Sequence, residues 1–377
     1  MKYDYDIGVI GGGLAGLSLL YHLIEAGRLE GKRVLLVDAE GRKSAHDRTW
    51  SFWEVGEGPF EHLVYKRWQE VTLHNSKQNL ACPLGAYTYK LIRSTEFYGF
   101  VNERIDAAGN VERLRARAED VRPTDAGVSF VAGGRAIRVR HAFSSVPLHL
   151  RPRQIKQPYL DQHFRGWYIR TPHKAFEPNR AALMDFRTPQ QGETRFFYVL
   201  PFSPTYAMVE LAIFSNNHLR QEEYDALISE YLQRVWGLDE YEIEHREQGN
   251  IPMTTYPFAR RDGNLIYIGL RGGAARPSTG YTFYGLQRQL SKLAHNFPTV
   301  PAVWRKRDLL YDATILRILQ DGQLPGDEVF LDLFSRNPIE RVLEFLNGET
   351  SFVSELALMS TTDIKKFGKS FLQATFT

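Results

Sequence analysis

The sequence predicts a mixed α/β fold with two domains and a helical C-terminal region. The first observation is residues 5–38, where an apolar run, three consecutive glycines, a helical pattern and a second apolar run follow one another. The second is a block of short strand patterns between residues 159 and 214, separated by turns that contain proline and glycine. The third is the helical periodicity that follows residue 283. Together they predict a nucleotide-binding βαβ domain, an antiparallel sheet and C-terminal helices.

The glycines of the first segment predict a Rossmann-like dinucleotide-binding unit. Gly11 permits a tight turn, Gly13 lets the backbone approach a pyrophosphate at the helix N-terminus, and Gly16 lets helix and strand pack closely. Asp38, 22 positions after Gly16, is placed to accept hydrogen bonds from ribose hydroxyls, which favours FAD or NAD over NADP. The alternative is a purely structural glycine turn. The predicted contacts are Gly11, Gly13, Leu14, Ala15, Gly16 and Asp38.

A second glycine-rich segment, residues 269–283, follows an apolar strand and precedes a helix. Its backbone N–H groups are candidates for contact with a phosphate or a flavin, and an ordinary connection between strand and helix explains the pattern equally well. The candidate contacts are Gly269, Gly272, Gly273 and Gly280. In addition, a strand that ends at Val121 would turn its backbone toward the adenine.

Composition narrows the class of protein. The 377 residues are 43% hydrophobic and 24% charged, with a net charge of +3, so the chain is globular and no nucleic acid partner is expected. The single cysteine, Cys82, excludes an intramolecular disulfide and indicates a reducing compartment. Histidine spacing indicates no metal site. We expect a cytoplasmic protein, because neither a signal segment nor an apolar run long enough to span a membrane is found.

The glycine motif of residues 11–16 and five further short motifs together resemble the lycopene cyclase family of carotenoid biosynthesis. The five are Asp47-Arg48-Thr49-Trp50, residues 162–167 (QHFRGW), residues 197–203 (FYVLPFS), Ile251-Pro252-Met253 and residues 277–281 (PSTGY). The resemblance runs in order from about residue 5 to about residue 285. It implies a flavoprotein that binds reduced FAD, with NAD(P)H as external reductant and Arg48 among the cofactor contacts. The implied reaction closes the linear ends of lycopene into β-ionone rings through monocyclic intermediates, without net oxidation.

The resemblance also implies a domain division. We expect the FAD-binding domain to comprise residues 1–65, 108–150 and 250–300, the substrate domain residues 66–107 and 151–249, and the helical region residues 301–377. Helices are predicted over residues 97–107, 221–236, 284–295, 303–316, 331–334, 339–346 and 352–359. The tail, residues 363–372, alternates cations with apolar residues; this fits either an anchor at the membrane surface or a helix docked on the protein.

Glu210 is the carboxylate that the resemblance makes essential. The family has an acidic pair here, whereas this chain has Leu211 at the second position; Arg276 likewise replaces a histidine common in relatives. On a strand, Glu210 would share its face with Met208 and Ala212, and apolar surroundings raise the pKa of a carboxyl group enough for it to donate a proton. We predict Glu210 as general acid. The alternative is a glutamate at a sheet edge or in a salt bridge.

A carbocation needs a dry pocket with electron-rich walls, and aromatic residues near the motifs are candidates for those walls. They are Trp50, Phe52, Trp53, Trp167, Phe197, Tyr198, Tyr281 and Phe283, each of which also fits ordinary core packing. The expected partners are lycopene, the membrane surface and other carotenoid enzymes. Two alternative functions are compatible with the same fold. One is a flavin monooxygenase or isoprenoid reductase, and the other is a non-catalytic protein that binds prenyl lipids.

Overall fold

The computed structural model describes residues 3–41 and 48–361 and, near the C-terminus, residues 367, 368, 370, 371 and 374. In these residues the strands are β1 (Tyr5–Ile10), β2 (Val34–Asp38), β3 (Thr49–Val55), β4 (Val64–Trp68), β5 (Glu70–His74), β6 (Asn79–Pro83), β7 (Tyr87–Arg93), β8 (Val111–Arg115), β9 (Ala118–Thr124), β10 (Gly127–Ala132), β11 (Arg135–Ser144), β12 (Tyr159–Arg170), β13 (Arg180–Asp185), β14 (Thr194–Ser203), β15 (Tyr206–Ser215), β16 (Glu242–Thr254), β17 (Arg261–Asp262) and β18 (Leu265–Tyr267). The helices are α1 (Leu14–Glu25), α2 (Ser94–Ala108), α3 (Gln221–Trp236), α4 (Phe283–Asn296), α5 (Lys306–Gln320), α6 (Gly326–Ser335), α7 (Ile339–Leu346) and α8 (Phe352–Met359).

A parallel sheet forms the nucleotide-binding part of the fold. Its strands lie in the order β8-β2-β1-β11-β18, and β9 and β10 extend it as an antiparallel pair beside β11. Side chains of β1 alternate between two cores: Ile7 and Val9 pack with α1 and α4, whereas Ile10 packs with the β10 side. Strands buried on both faces read as apolar runs, which is why this unit is visible in the sequence.

A second sheet of seven described strands carries most of the remaining core. The order is β16-β12-β15-β14-β13-β5-β6, and every neighbouring pair is antiparallel except β13 and β5. Helix α3 covers one face of this sheet. The opposite face packs against α5, α6, α7 and α8 and against a small antiparallel sheet, β3-β7-β4. The predicted mixed α/β fold class is confirmed.

Several predicted boundaries change. Helices α3, α7 and α8 have their predicted bounds, whereas α6 starts five residues before its predicted start at residue 331, directly after Pro325. The predicted domain boundary at residue 107 is wrong, because α2 packs with α1 in the nucleotide-binding core. The prediction that a strand ends at Val121 is also wrong. Val121 lies inside β9, next to a bulge at Asp120, whose φ is +51°, and a bulge lets strand pairing continue.

No described helix is both long and apolar enough to cross a membrane. The segment predicted as a membrane-surface anchor, residues 363–372, lies largely outside the described residues.

Candidate active site

The turn between β1 and α1 has the geometry of a dinucleotide cradle. Gly11 has a φ of +105°, and a side chain at Gly16 would place its Cβ 1.9 Å from the Gly11 carbonyl oxygen. A Cβ at Gly13, in contrast, would meet no protein atom within 4 Å. Because Gly13 is also the N-cap of α1 and provides no side-chain cap, the first N–H groups of the helix lack a capping side chain and are available to an anion.

Asp38 closes the other side of this cradle. Its Oδ2 accepts a hydrogen bond from the Gly12 N–H at 2.6 Å, and its Oδ1 accepts from the N–H groups of Glu40 and Gly41 at 2.9 and 3.1 Å. A carboxylate has about four acceptor positions, so these three bonds fix the side chain and leave about one position open for a ribose hydroxyl.

The second glycine-rich segment packs against the start of α1. Gly269, with a φ of +62°, lies so close to α1 that a Cβ there would be 2.7 Å from the Ala15 Cβ. The other three candidate glycines are required by close contacts within the protein. A Cβ at Gly272 would meet the Tyr267 backbone, a Cβ at Gly273 would meet the Phe258 ring, and a Cβ at Gly280 would meet the Gln162 side chain.

Arg48, directly before β3, joins α2 to β16. Its Nη1 donates a hydrogen bond to the Gln248 carbonyl oxygen at 2.9 Å, and its backbone N–H donates to the Ser94 hydroxyl at 3.2 Å. The guanidinium thus lies against β16, the strand that carries Glu247.

Glu210 lies at the centre of the second sheet, on the face opposite α3. Its neighbours across the sheet are Gly166 on β12 and Tyr198 on β14, and only 9% of its surface is exposed. As predicted, Met208 and Ala212 share its face, whereas Val209 and Leu211 pack toward α3. The Glu210 carboxyl is therefore held in an apolar row without reaching the sheet edge.

A second buried carboxyl, Glu247 on β16, lies beside it. Gly166 pairs with Glu210 on one side and with Glu247 on the other, and all three residues point to the same face. A Cβ at Gly166 would lie 3.3 Å from both the Glu210 Oε2 and the Glu247 Cγ. Because that Cβ is missing, the two carboxyl groups face each other over the glycine, close enough for each to shift the pKa of the other.

The two carboxyls have different surroundings. The Thr49 hydroxyl lies 3.1 and 3.3 Å from the Glu247 carboxyl oxygens, and the Tyr168 hydroxyl donates to Glu247 Oε2 at 3.2 Å. Burial, followed by the charge of Glu247, raises the pKa of Glu210 well above the ordinary carboxyl value. Burial raises the pKa of Glu247 too, but the two hydroxyl groups and the Arg48 charge oppose that rise.

Three tyrosine hydroxyls cluster next to Glu210. The Tyr198 and Tyr281 hydroxyls are hydrogen-bonded, and the Tyr89 hydroxyl lies 3.4 Å from that of Tyr281. Burial raises the pKa of Tyr89 to about 12, so this group is uncharged at neutral pH. Trp53 completes the cluster with its ring centroid 4.5 Å from that of Tyr281.

Only part of the predicted aromatic wall surrounds Glu210. Trp53, Tyr198 and Tyr281 do so, but Trp167 and Phe197 do not: Trp167 donates a hydrogen bond from Nε1 to Asp225 of α3 at 3.0 Å, and Phe197 stacks on Tyr231 of α3. They occupy the opposite face because strand side chains alternate, so the prediction is wrong for both.

Trp50, Phe52 and Phe283 are likewise removed from the carboxyls. They pack together in the core beneath α4, with ring centroids 4.7 Å apart for Phe52 and Phe283. Alternation along β3 turns Thr49 toward Glu247 and turns Trp50 and Phe52 away from it. The prediction that these three rings line the same pocket as Glu210 is therefore wrong.

Sequence reasoning missed Glu247, Gly166, Thr49, Tyr168 and Tyr89. Glu247 precedes the Ile251-Pro252-Met253 motif by four residues and Gly166 lies inside the QHFRGW motif, so the resemblance marked both neighbourhoods without singling out either residue. The pairing register of β12 with β15 and β16 is what joins them.

Arg276, at the position where the resemblance implies a histidine, contributes to packing. It is fully buried, its Nε lies 3.0 Å from Asp312 Oδ1, and its guanidinium carbon lies 5.0 Å from the Trp304 ring centroid. This pair joins the second glycine-rich segment to α5.

Solved structures with similar folds are flavoproteins and reductases. A geranylgeranyl bacteriochlorophyll reductase-like protein from Thermoplasma acidophilum has a TM-score of 0.66 at 13% identity, with 97% of this chain and 99% of that chain covered. A flavoprotein/dehydrogenase from Cytophaga hutchinsonii has a TM-score of 0.62 at 13% identity, with 98% and 99% covered. At such identities the likeness supports the Rossmann-like flavoprotein fold alone.

Sequence comparison is more specific. A lycopene beta-cyclase of Pantoea ananas is 26% identical over 301 residues, 75% of this chain and 72% of that protein. A lycopene beta-cyclase of a Paracoccus species is 32% identical over 217 residues, which is 53% of this chain and 55% of that protein. The family model "Lycopene cyclase protein" matches residues 6–374. The chain therefore belongs to the lycopene cyclase protein family.

Proposed function

We propose that this protein is an FAD-dependent lycopene β-cyclase, with Glu210 as its general acid. The reaction closes the linear ends of lycopene into β-ionone rings through a monocyclic intermediate. The observation that carries the proposal is the Glu210 carboxyl, buried in an apolar row and facing a second buried carboxyl across Gly166. Family membership and the names of the two relatives support the substrate.

The reaction needs a carboxyl group that keeps its proton at neutral pH. Burial and the neighbouring negative charge both raise the pKa of Glu210, which is the change that this condition requires. The proton adds to the terminal double bond, which leaves a tertiary carbocation; the ring closes on that cation, and a ring proton then returns to a carboxylate. One proton enters and one leaves, so the oxidation state does not change.

The cation must be kept from water until the ring has closed. Met208, Trp53 and the three tyrosines around Glu210 provide buried surface of low polarity, and aromatic faces attract a cation. Of the predicted wall, only Trp53, Tyr198 and Tyr281 remain in this role.

The cradle residues fit a dinucleotide such as FAD. The turn from Gly11 to Gly16 would hold the pyrophosphate, Asp38 the ribose, and Gly269 and Arg48 would lie along the path toward Glu210. Bound in its reduced anionic form, FAD supplies a fixed negative charge near the cation. A redox-neutral reaction needs NAD(P)H only as the external reductant that produces this form.

Lycopene dissolves in membranes, so we propose a cytoplasmic enzyme bound to the inner membrane face, where other carotenoid enzymes meet the same lipid. Three exposed apolar side chains of α8 support such contact: Phe352, Val353 and Leu356. Recovery of the protein entirely in the soluble fraction, at physiological salt and without detergent, would argue against this location.

Expression in cells that accumulate lycopene tests the function. We expect a monocyclic or bicyclic isomer of unchanged mass with the wild type and with Glu244→Gln, a control on β16 whose carboxylate pairs with Arg170. Glu210→Gln is expected to give no isomer. A product of higher mass would indicate a monooxygenase or a reductase instead, and bound but unaltered lycopene would indicate a carrier protein.

A further inference from the structure

We propose that Glu247 is a positioning residue of this site, which stays ionised beside Glu210 and keeps the one proton of the pair on Glu210. This inference rests on the proposed function and assigns a second carboxylate to the reaction.

The arrangement depends on three neighbouring strands. Glu210, Gly166 and Glu247 lie in register on β15, β12 and β16, so the two carboxyl groups can approach only above the glycine. Both are almost fully buried, with 9% and 8% of their surfaces exposed. Two carboxylates this close in an apolar site do not both ionise near neutral pH, since like charges repel strongly there. The pair therefore shares one proton.

The hydrogen-bond donors identify the ionised member. Thr49 and Tyr168 both direct hydroxyl groups at the Glu247 oxygens, and a hydroxyl donor stabilises a carboxylate over a carboxylic acid. Around Glu210 the same face presents Gly166, Met208 and Tyr198, whose hydroxyl is hydrogen-bonded to that of Tyr281. The proton is thus retained on Glu210, because the Thr49 and Tyr168 donors face Glu247.

The other ionisable groups facing the pair do not reverse this assignment. Arg48 is the cation that acts on both carboxyls, and its charge lowers the pKa of each. His245, on the same strand as Glu247, packs with its ring centroid 5.3 Å from that of Tyr168. Among the described residues the remaining groups are the phenols of Tyr89, Tyr168, Tyr198 and Tyr281, and burial raises the pKa of each well above neutrality.

The same charge arrangement serves the reaction. While Glu210 holds its proton, the pair carries a single negative charge. When the proton moves to the terminal double bond of the polyene, Glu210 joins Glu247 in the ionised state just as the tertiary carbocation forms, and the attraction of the two carboxylates for the cation stabilises it. The ring proton then returns to the pair, which restores the starting charge with all protons accounted for.

The pH dependence of cyclisation tests the proposal. In the wild type, activity is lost at high pH as Glu210 loses its proton. Glu247→Gln removes the neighbouring charge and puts an amide donor beside Glu210, so we expect this loss to occur about one pH unit or more lower. Glu247→Asp, which withdraws the charge slightly, is expected to fall between. Glu244→Gln should keep the wild-type profile, and Glu210→Gln should be inactive at every pH.

Infrared titration of the purified proteins measures the same proton without turnover. The band of the protonated carboxyl, assigned by its loss in Glu210→Gln, should titrate at lower pH in Glu247→Gln than in the wild type. A wild-type pH profile and band position in Glu247→Gln would overturn the inference while leaving the proposed function intact. If the wild type cyclises no lycopene and the band still shifts, the proposed function is wrong and the shared proton stands.

Discussion

Gly166 stands directly opposite Glu210 in the pairing of β12 with β15, and its missing side chain gives the Glu210 carboxyl its path to Glu247. The rest of the site depends on this relationship. A residue with a Cβ at this position would separate the two carboxyls, because its Cβ would lie 3.3 Å from atoms of each glutamate.

Gly166→Ala is therefore expected to reduce cyclisation about tenfold or more, since small displacements of reacting groups have large effects on rate. We expect it to cost about 1–3 kcal/mol of unfolding free energy, because the added methyl group overpacks the site. Gly99→Ala is the matched control: a Cβ at Gly99 would meet nothing within 4 Å. Unchanged turnover in Gly166→Ala would show that contact between the carboxyls is dispensable.

Alanine substitutions at Gly13 and Gly16 are expected to have different effects, one on flavin binding and the other on folding stability. Gly13→Ala adds a Cβ that meets no protein atom, so the protein should fold normally and purify with little flavin, because the methyl group blocks the ligand. Gly16→Ala should destabilise the fold itself, since its Cβ would overlap the Gly11 carbonyl oxygen. Flavin absorbance and thermal unfolding measure the two effects. A Gly13→Ala protein with a full flavin content would contradict the predicted pyrophosphate contact.

The buried pair of Arg276 and Asp312 is expected to contribute to stability and not to the reaction. Arg276→Met leaves Asp312 buried without its cation, and such a change costs about 3–5 kcal/mol. The double variant Arg276→Met with Asp312→Leu should recover much of that loss, because neither charge remains. Chemical denaturation measures both. If Arg276→Met were as stable as the wild type, the ion pair would not stabilise the packing of the second glycine-rich segment on α5.

Deprotonation of Glu210 is expected to lower the free energy of unfolding as the pH rises. Its pKa in the folded protein is raised above the ordinary carboxyl value, so between those two values the folded state holds a proton that the unfolded state has lost. The contribution of this group to the free energy of unfolding is fully present at low pH, and it is lost as the pH rises to the pKa of the folded state. Relative to the wild type, Glu210→Gln should gain at least about 1 kcal/mol of unfolding free energy between about pH 4 and about pH 8. A difference that does not change with pH would contradict the raised pKa.

Much of the framework could be predicted from local patterns. The glycine spacing after β1, the apolar run of β2 and the face shared by Met208, Glu210 and Ala212 depend only on neighbouring residues. The aromatic wall shows the limit of such reasoning. Phe197 and Tyr198 are adjacent on one strand and must point to opposite faces, but which one faces Glu210 depends on where α3 packs.

The partner of Glu210 could not be predicted in this way. Glu247 is 37 positions away along the chain and reaches Glu210 only across the intervening strand β12. Register between distant strands is a tertiary property, and the alternating acidic pattern of β16 offers several glutamates without distinguishing them.

Cyclisation in D₂O tests the central claim, that a buried carboxyl protonates the polyene, most directly. With reduced FAD and lycopene in vesicles, the wild type should give an isomer that carries one deuterium for each ring closed, because the added proton comes from an exchangeable acid. Glu210→Gln with the same flavin content should give none. A cyclised product without deuterium, or wild-type turnover by Glu210→Gln, would contradict the account.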